Sequence, residues 1–282
     1  MFDIIRKSLA TGIVTTDYPQ TPAEVASQAR GWPEIDFVKW RDARPAVAAC
    51  PTGALACVDG GGTRTVKLDL AKCTFCGLCA EADTAIRMTN ACELAARRKE
   101  DLLTTARYEL GPAGAQGKLV ATQRSPLATQ PSNLDSIGTE LKARIAKVLG
   151  RSLHIREVDA GSCNGCEIEI VGLNSPVYDI ERFGIHFVAS PRHADMLLVT
   201  GPVSRNMELA LRKTYDATPD PRLVVAVGAC GCSGGLFGRN YATCGTVDAV
   251  IPVDLYIPGC PPHPLVILEG LLRLLGQLKE RR

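Results

Sequence analysis

The 282-residue sequence has no window of eighteen or more residues free of charge, which argues against a transmembrane helix. Its start, M-F-D-I-I-R-K-S-L-A, lacks the apolar core of a signal peptide, so a reducing compartment is expected and the twelve cysteines do not read as a disulfide scaffold. A formal net charge of +2, without a long basic tract, gives no footing for nucleic acid. No G-x-G-x-x-G, P-loop or serine or cysteine nucleophile arrangement is present, so nothing points to nucleotide binding or group transfer. The four histidines, His154, His186, His193 and His263, are dispersed with no i, i+4 pair, and no second metal type is indicated. A hydrophobic content of 46% suffices for packed cores in one or two domains.

What the chain does have is cysteine in two constellations. In the second half, Cys163 and Cys166 form a C-x-x-C, while Cys230 and Cys260 each follow an apolar run, Leu223–Val227 and Val250–Ile257. These runs, and Leu153–Val158 before the first pair, read as buried strands. All four thiols are then expected at the carboxyl ends of strands, where open α/β sheets hold their ligands. Four such cysteines suit an iron–sulfur cluster or a structural zinc ion. In the first half, Cys50 stands in C-P-T-G-A-L, and Cys73, Cys76 and Cys79 in C-T-F-C-G-L-C. Bacterial ferredoxins carry the run C-x₂-C-x₂-C-x₃-C-P twice, and the cysteine before proline serves the other run's cluster. Counted by that spacing, the missing cysteines fall on Trp40, Ala43, Ala46 and Asp83. All four belong to one cluster, and the four that remain complete the other. The pattern reads as a one-cluster ferredoxin-like domain of α+β class.

G-S-C-N-G-C-E, G-A-C…G-G-L-F…Y-A-T-C-G-T-V-D and I-P-V-D-L-Y-I-P-G-C-P-P follow one another between Leu153 and the C-terminus. That segment resembles the small, cluster-bearing subunit shared by membrane-associated energy-converting [NiFe]-hydrogenases, formate hydrogenlyase and respiratory complex I. The resemblance implies one [4Fe–4S] cluster on Cys163, Cys166, Cys230 and Cys260 and a separate large subunit carrying the [NiFe] site. It also implies further subunits of a membrane-bound complex, and a peripheral place on the cytoplasmic face of the inner membrane through them. In complex I relatives the first two ligands are adjacent, so the spacing here is of the hydrogenase type. A complex I-type subunit is the alternative, and a zinc-stabilised scaffold is the reading from another class. The N-terminal half, from M-F-D-I-I-R-K-S-L-A-T-G through D-Y-P to A-I-R-M-T-N-A-C-E, resembles the two-cluster ferredoxin-like subunit of the same complexes with one cluster lost. Together the two halves imply an electron-transfer subunit of an oxidoreductase, without the catalytic centre, holding two [4Fe–4S] clusters and served by a redox donor protein. Glu167, directly after Cys166, reads either as a carboxylate at a helix N-terminus or as a proton relay, the latter because hydrogenase small subunits carry an acidic residue there.

Residues 1–110 are thus expected to form the ferredoxin domain with an N-terminal arm, and 137–282 an α/β, flavodoxin-like domain with a mostly parallel sheet. Between them, 111–136 is rich in Gly, Pro, Ser, Thr and Gln and reads as a flexible linker. Phe2, Ile5, Leu9 and Ile13 lie on one helical face beside Arg6 and Lys7, which suggests a helix packed on its own domain or a neighbouring subunit rather than on anionic lipid. Leu141, Ile145, Val148 and Leu149 form a second apolar stripe, ended by Gly150. Further helices are expected over Glu167–Phe183 and Met207–Tyr215, and strands over His186–Ala189 and Met196–Thr200. Glu269, Arg273 and Gln277 draw a polar stripe down the apolar helix Leu265–Leu278. Cys57, Cys92, Cys232 and Cys244 remain as small hydrophobes, with Cys232 the one that could compete as a ligand. His263 is placed to tune the second cluster by hydrogen bonding.

Overall fold

The computed structural model describes residues 2–19, 21, 25–26, 28–91, 93–126 and 151–276. The helix expected at 141–149, the stretch 127–136, Cys92 and Gln277 lie outside the described residues. The N-terminal half begins with α1 (Phe2–Thr11), none of whose residues is buried, so it does not pack on its own domain. There follow β1 (Pro33–Ile35), α2 (Arg44–Ala49), β2 (Leu55–Gly60), β3 (Thr63–Asp69), α3 (Leu78–Ala82), β4 (Ile86–Met88), β5 (Leu103–Leu110) and β6 (Gln116–Gln123). Strands β1 and β4 pair antiparallel, and β2-β3-β5-β6 form a four-stranded antiparallel sheet. The β2–β3 turn is Gly61-Gly62, both at positive φ, the residues that a two-residue hairpin matching strand twist requires.

Strand β6 departs from the expected linker. Its sequence, Q-G-K-L-V-A-T-Q, is too polar and glycine-containing to announce a strand, yet β5 offers it a free row of backbone partners. Gln116 then reaches back, its side chain accepting from the Ala43 N–H at 3.1 Å and donating to the Trp40 carbonyl at 3.0 Å. The first half therefore continues in regular structure to Gln123.

The C-terminal half contains β7 (Leu153–Asp159), α4 (Gly165–Gly172), β8 (Ile185–Phe187), β9 (Met196–Thr200), α5 (Arg205–Ala217), β10 (Leu223–Val227), α6 (Gly228–Ser233), β11 (Leu255–Ile257) and α7 (Pro264–Gly276). Its five strands are parallel in the order β8-β7-β9-β10-β11, the doubly wound order with a reversal between β7 and β9. Every residue of β9 and β10 is buried, as continuous apolar strands covered on both faces should be. The helix expected through Phe183 is shorter, ending at Gly172, and a separate 3₁₀ turn covers Ile180–Phe183. Ser175-Pro176 lies between them and removes a helical donor. Among the described residues no helix is long and apolar enough to cross a membrane.

A shared seam joins the halves. Ala96 and Tyr256 exchange two backbone hydrogen bonds, of 3.0 and 2.8 Å, on the free side of β11. Lys99 pairs with Asp248 at 2.7 Å and lies over the Tyr256 ring, whose hydroxyl donates to Asp248 at 2.9 Å. At the other side, Thr15 and Thr16 bond to the carbonyls of Pro176 and Val177, and Arg182 donates to the Tyr18 carbonyl. Glu269, on the polar stripe, has no exposed surface. Its neighbour Gly270 lies so close to Ala95 that a Cβ there would come within 2.9 Å of the alanine methyl. The N-terminal half covers this face of α7.

Candidate metal centres

Cys50 ends α2, Cys73 and Cys76 lie on the turn that leads into α3, and Cys79 lies in the first turn of α3. The two helices pack together, and the four thiols come to line one small cavity, whose other walls are largely apolar, among them Pro33, Ala54, Leu55, Leu68 and Met88. Backbone N–H groups of Leu55 and Phe75 point at the sulfurs of Cys50 and Cys73, each at 3.4 Å. Phe75 at φ +56° and Gly77 at φ +86° turn the chain around the space. Burial pushes the Cys73 thiol up to about 12, and burial also raises Cys79. Such thiols keep their protons until a positive centre replaces them.

Of the four positions where ferredoxin spacing would place further cysteines, two bond to each other. Trp40 donates from Nε1 to Oδ2 of Asp83 at 3.0 Å, and Ala43 and Ala46 are fully buried. None of the four offers a thiol, and Gln116 of β6 bonds back to Ala43 and Trp40. Asp83 is further held by the Ala85 N–H at 2.8 Å.

In the second half, Cys163 and Cys166 follow β7, Cys230 lies in α6 directly after β10, and Cys260 follows β11, so the parallel sheet gathers all four at its carboxyl edge. Burial is the main cause raising Cys166, Cys230 and Cys260, with Cys230 pushed up to about 11, and the mutual proximity of the four thiols adds to it. Close glycines make the room. A Cβ at Gly228 would stand 2.6 Å from Sγ of Cys166, and one at Gly235 would stand 2.8 Å from Sγ of Cys230. Cys163 and Cys260 are exposed, so the centre faces outward. Around it Ile168 and Val171 of α4, with Leu236, Phe237 and Tyr241, also stand in solvent.

Glu167 sits in the first turn of α4, its Oε1 bonded to the Thr200 hydroxyl while Oε2 is buried without a partner. Thr200 ends β9, and its hydroxyl is also 3.5 Å from Oε1 of Glu157, whose carboxyl is raised by burial and then by Glu167. Glu157, the side-chain bonds of Thr200 and the burial of Glu269 escape sequence reading. The one available signal was the place of Thr200 at the strand end beside the reversal of strand order. Cys232 is buried and donates to the Ala226 carbonyl at 3.5 Å, and Cys244 is buried against Glu208. Cys57 is half-buried. His263 accepts from the Leu265 N–H at 3.2 Å and so caps α7, with its ring edge against Tyr178. Among the described residues no group of three or more His, Cys, Asp or Glu is placed to hold a single metal ion.

A family model described as NADH ubiquinone oxidoreductase, 20 Kd subunit, matches residues 163–274. The chain is 44% identical over 172 residues to formate hydrogenlyase subunit 7 of Escherichia coli, covering 61% of this chain and 64% of that protein. A probable membrane-bound hydrogenase subunit of Pyrococcus furiosus is 48% identical over 136 residues, 48% of this chain and 81% of its own length. An NADH-quinone oxidoreductase subunit of Desulfovibrio desulfuricans is 50% identical over 109 residues, 39% of this chain and 59% of that protein.

Proposed function

Because the chain belongs to the family of the NADH ubiquinone oxidoreductase 20 Kd subunit, we propose that it is the iron–sulfur electron-transfer subunit of a hydrogenase-type complex, relaying electrons through two [4Fe–4S] clusters to or from a [NiFe] site on a large subunit. The observation that carries this reading is the gathering of two separate sets of four cysteines, one lining a cavity and one at the carboxyl edge of the parallel sheet. Each set fits a cubane. The first lines a cavity with N–H groups aimed at its sulfurs, and the second has glycines where any side chain would meet a sulfur. Cys50, Cys73, Cys76 and Cys79 would hold one cluster and Cys163, Cys166, Cys230 and Cys260 the other. A bound cluster supplies a one-electron centre. The protein's own part is to exclude water from the first set, to release the thiol protons on assembly, and to offer the second set outward.

The exposed apolar residues around the second set suit a partner subunit there. Membrane attachment would then come through such partners, as the names of the formate hydrogenlyase and membrane-bound hydrogenase relatives suggest. The 50% identity to an NADH-quinone oxidoreductase subunit favours a second reading, a subunit of a quinone-reducing complex. The two-residue spacing of Cys163 and Cys166 supports the first. A zinc scaffold is disfavoured by the C-T-F-C-G-L-C run, since a zinc knuckle has no use for the third close cysteine. In N-terminal fold, the pairing of α2 with α3 and of β1 with β4 around one ligand set supports the ferredoxin-like reading.

The test is iron and acid-labile sulfide content together with activity of Cys76→Ala. Content should approach eight of each per chain, about four in the variant. The assembled complex carrying Cys76→Ala should lose hydrogen turnover with its natural donor and retain it with a small dye. Equal activity of variant and parent with the natural donor would refute the relay, and zinc without sulfide would refute the clusters.

A further inference from the structure

We propose that Arg30 is a positioning residue for the N-terminal centre, its guanidinium laid on the Cys76–Gly77 turn so that the centre is biased toward its reduced form. This rests on the two-cluster reading. Nη1 of Arg30 donates to the Cys76 carbonyl, on the turn that carries two of the four cysteines. A Cβ at Gly77 would lie 3.5, 3.6 and 3.7 Å from Nη1, Cζ and Nε, so the plane of the guanidinium rests on the glycine. Gly77 is required for its positive φ, and the guanidinium lies in van der Waals reach of it. The backbone that presents Arg30 is fixed. Gly31 donates to the Thr89 carbonyl at 2.6 Å and fits so tightly that a Cβ would meet the Ala91 carbonyl oxygen at 2.4 Å. Next to it, Pro33 pairs with Met88. Among the described residues no carboxylate stands within ion-pair distance of Arg30.

Physically, a four-thiolate cubane is anionic and gains one further negative charge when it accepts one electron. No bond forms or breaks. A fixed cation beside the ligand turn stabilises the more negative form, and a hydrogen bond to a ligand-loop carbonyl holds that cation at constant distance. Because Arg30 is exposed, its field is screened by salt. Among the described residues its side chain bonds only the N-terminal ligand turn.

The experiment is a redox titration of the cluster-loaded full chain, followed by electron paramagnetic resonance, on the parent, Arg30→Lys, Arg30→Gln and Arg30→Glu at low and high ionic strength. The N-terminal midpoint should shift to more negative values in Arg30→Gln and further in Arg30→Glu, stay near the parent in Arg30→Lys, and move while the other midpoint does not. In the parent, added salt should lower the N-terminal midpoint relative to the second. Two intact signals with the same midpoints in parent, Gln and Glu variants overturn this inference alone. If the Gln and Glu variants fail to hold the cluster, an N-terminal midpoint in the parent that salt does not move relative to the second overturns it. A parent without an N-terminal signal overturns the two-cluster reading and this inference with it.

Discussion

Glu269→Gln should make the protein more stable, and more so as pH rises. Glu269 has no exposed surface, and burial pushes its carboxyl up to about 7 against the opposing pull of the bonded Arg273. Its second oxygen has no partner. A carboxyl with a raised folded pKa binds its proton more tightly in the native state, so stability is complete below the unfolded value and falls as pH rises towards 7. A rise of roughly 2.5 pKa units corresponds to about 3 kcal/mol, of which about 2 kcal/mol is lost between roughly pH 5.5 and pH 8.5. Glutamine keeps the oxygen that accepts from Arg273 and never ionises. The parent's melting temperature should therefore fall, relative to the variant's, by roughly 4–8 °C across that interval. Thermal melts of the two cluster-loaded proteins at both pH values measure it. Parallel pH profiles would refute the reasoning, because they would mean that Glu269 is not buried as an acid in the seam.

Trp40→Ala removes a side chain that is almost fully buried along with the bond to Asp83, and should cost about 3–5 kcal/mol, read as a lower melting temperature, while iron content stays that of the parent. A variant that takes up additional iron would contradict the filled position. Cys232→Ser should leave both clusters assembled, since Cys232 bonds the Ala226 carbonyl, and loss of the C-terminal signal in that variant would overturn the ligand assignment.

Much of the C-terminal half was legible because burial on both faces writes itself as continuous apolar runs. Met196–Thr200 and Leu223–Val227 are strands to the residue. Val250–Ile257 was read too long. Pro252 interrupts it, Val247–Ala249 forms a 3₁₀ turn, and only Leu255–Ile257 pairs. The spacing arithmetic identifies the first-half cysteines that the fold brings to one cavity and the residues at the four positions without thiols, but not that Trp40 and Asp83 bond to each other. Strand β6 and the burial of Glu269 depend on what lies across from them, β5 in one case and the N-terminal half in the other. Periodicity along one segment carries no record of its neighbour. Arg30 was invisible for the same reason, since a basic residue in an irregular, proline-broken stretch gives no pattern to follow.

The paired backbone bonds between Ala96 and Tyr256 have a consequence for biogenesis. They occupy the free side of β11, an apolar strand that would otherwise offer its unpaired amides to any passing chain. The residues that cover it are made first on the ribosome, so the parallel sheet finds its cap already waiting as it folds. Joining both in one polypeptide also keeps the cap at high local concentration and in equal number with the edge it protects. A cell making this chain never holds the second half as an orphan in need of a guardian.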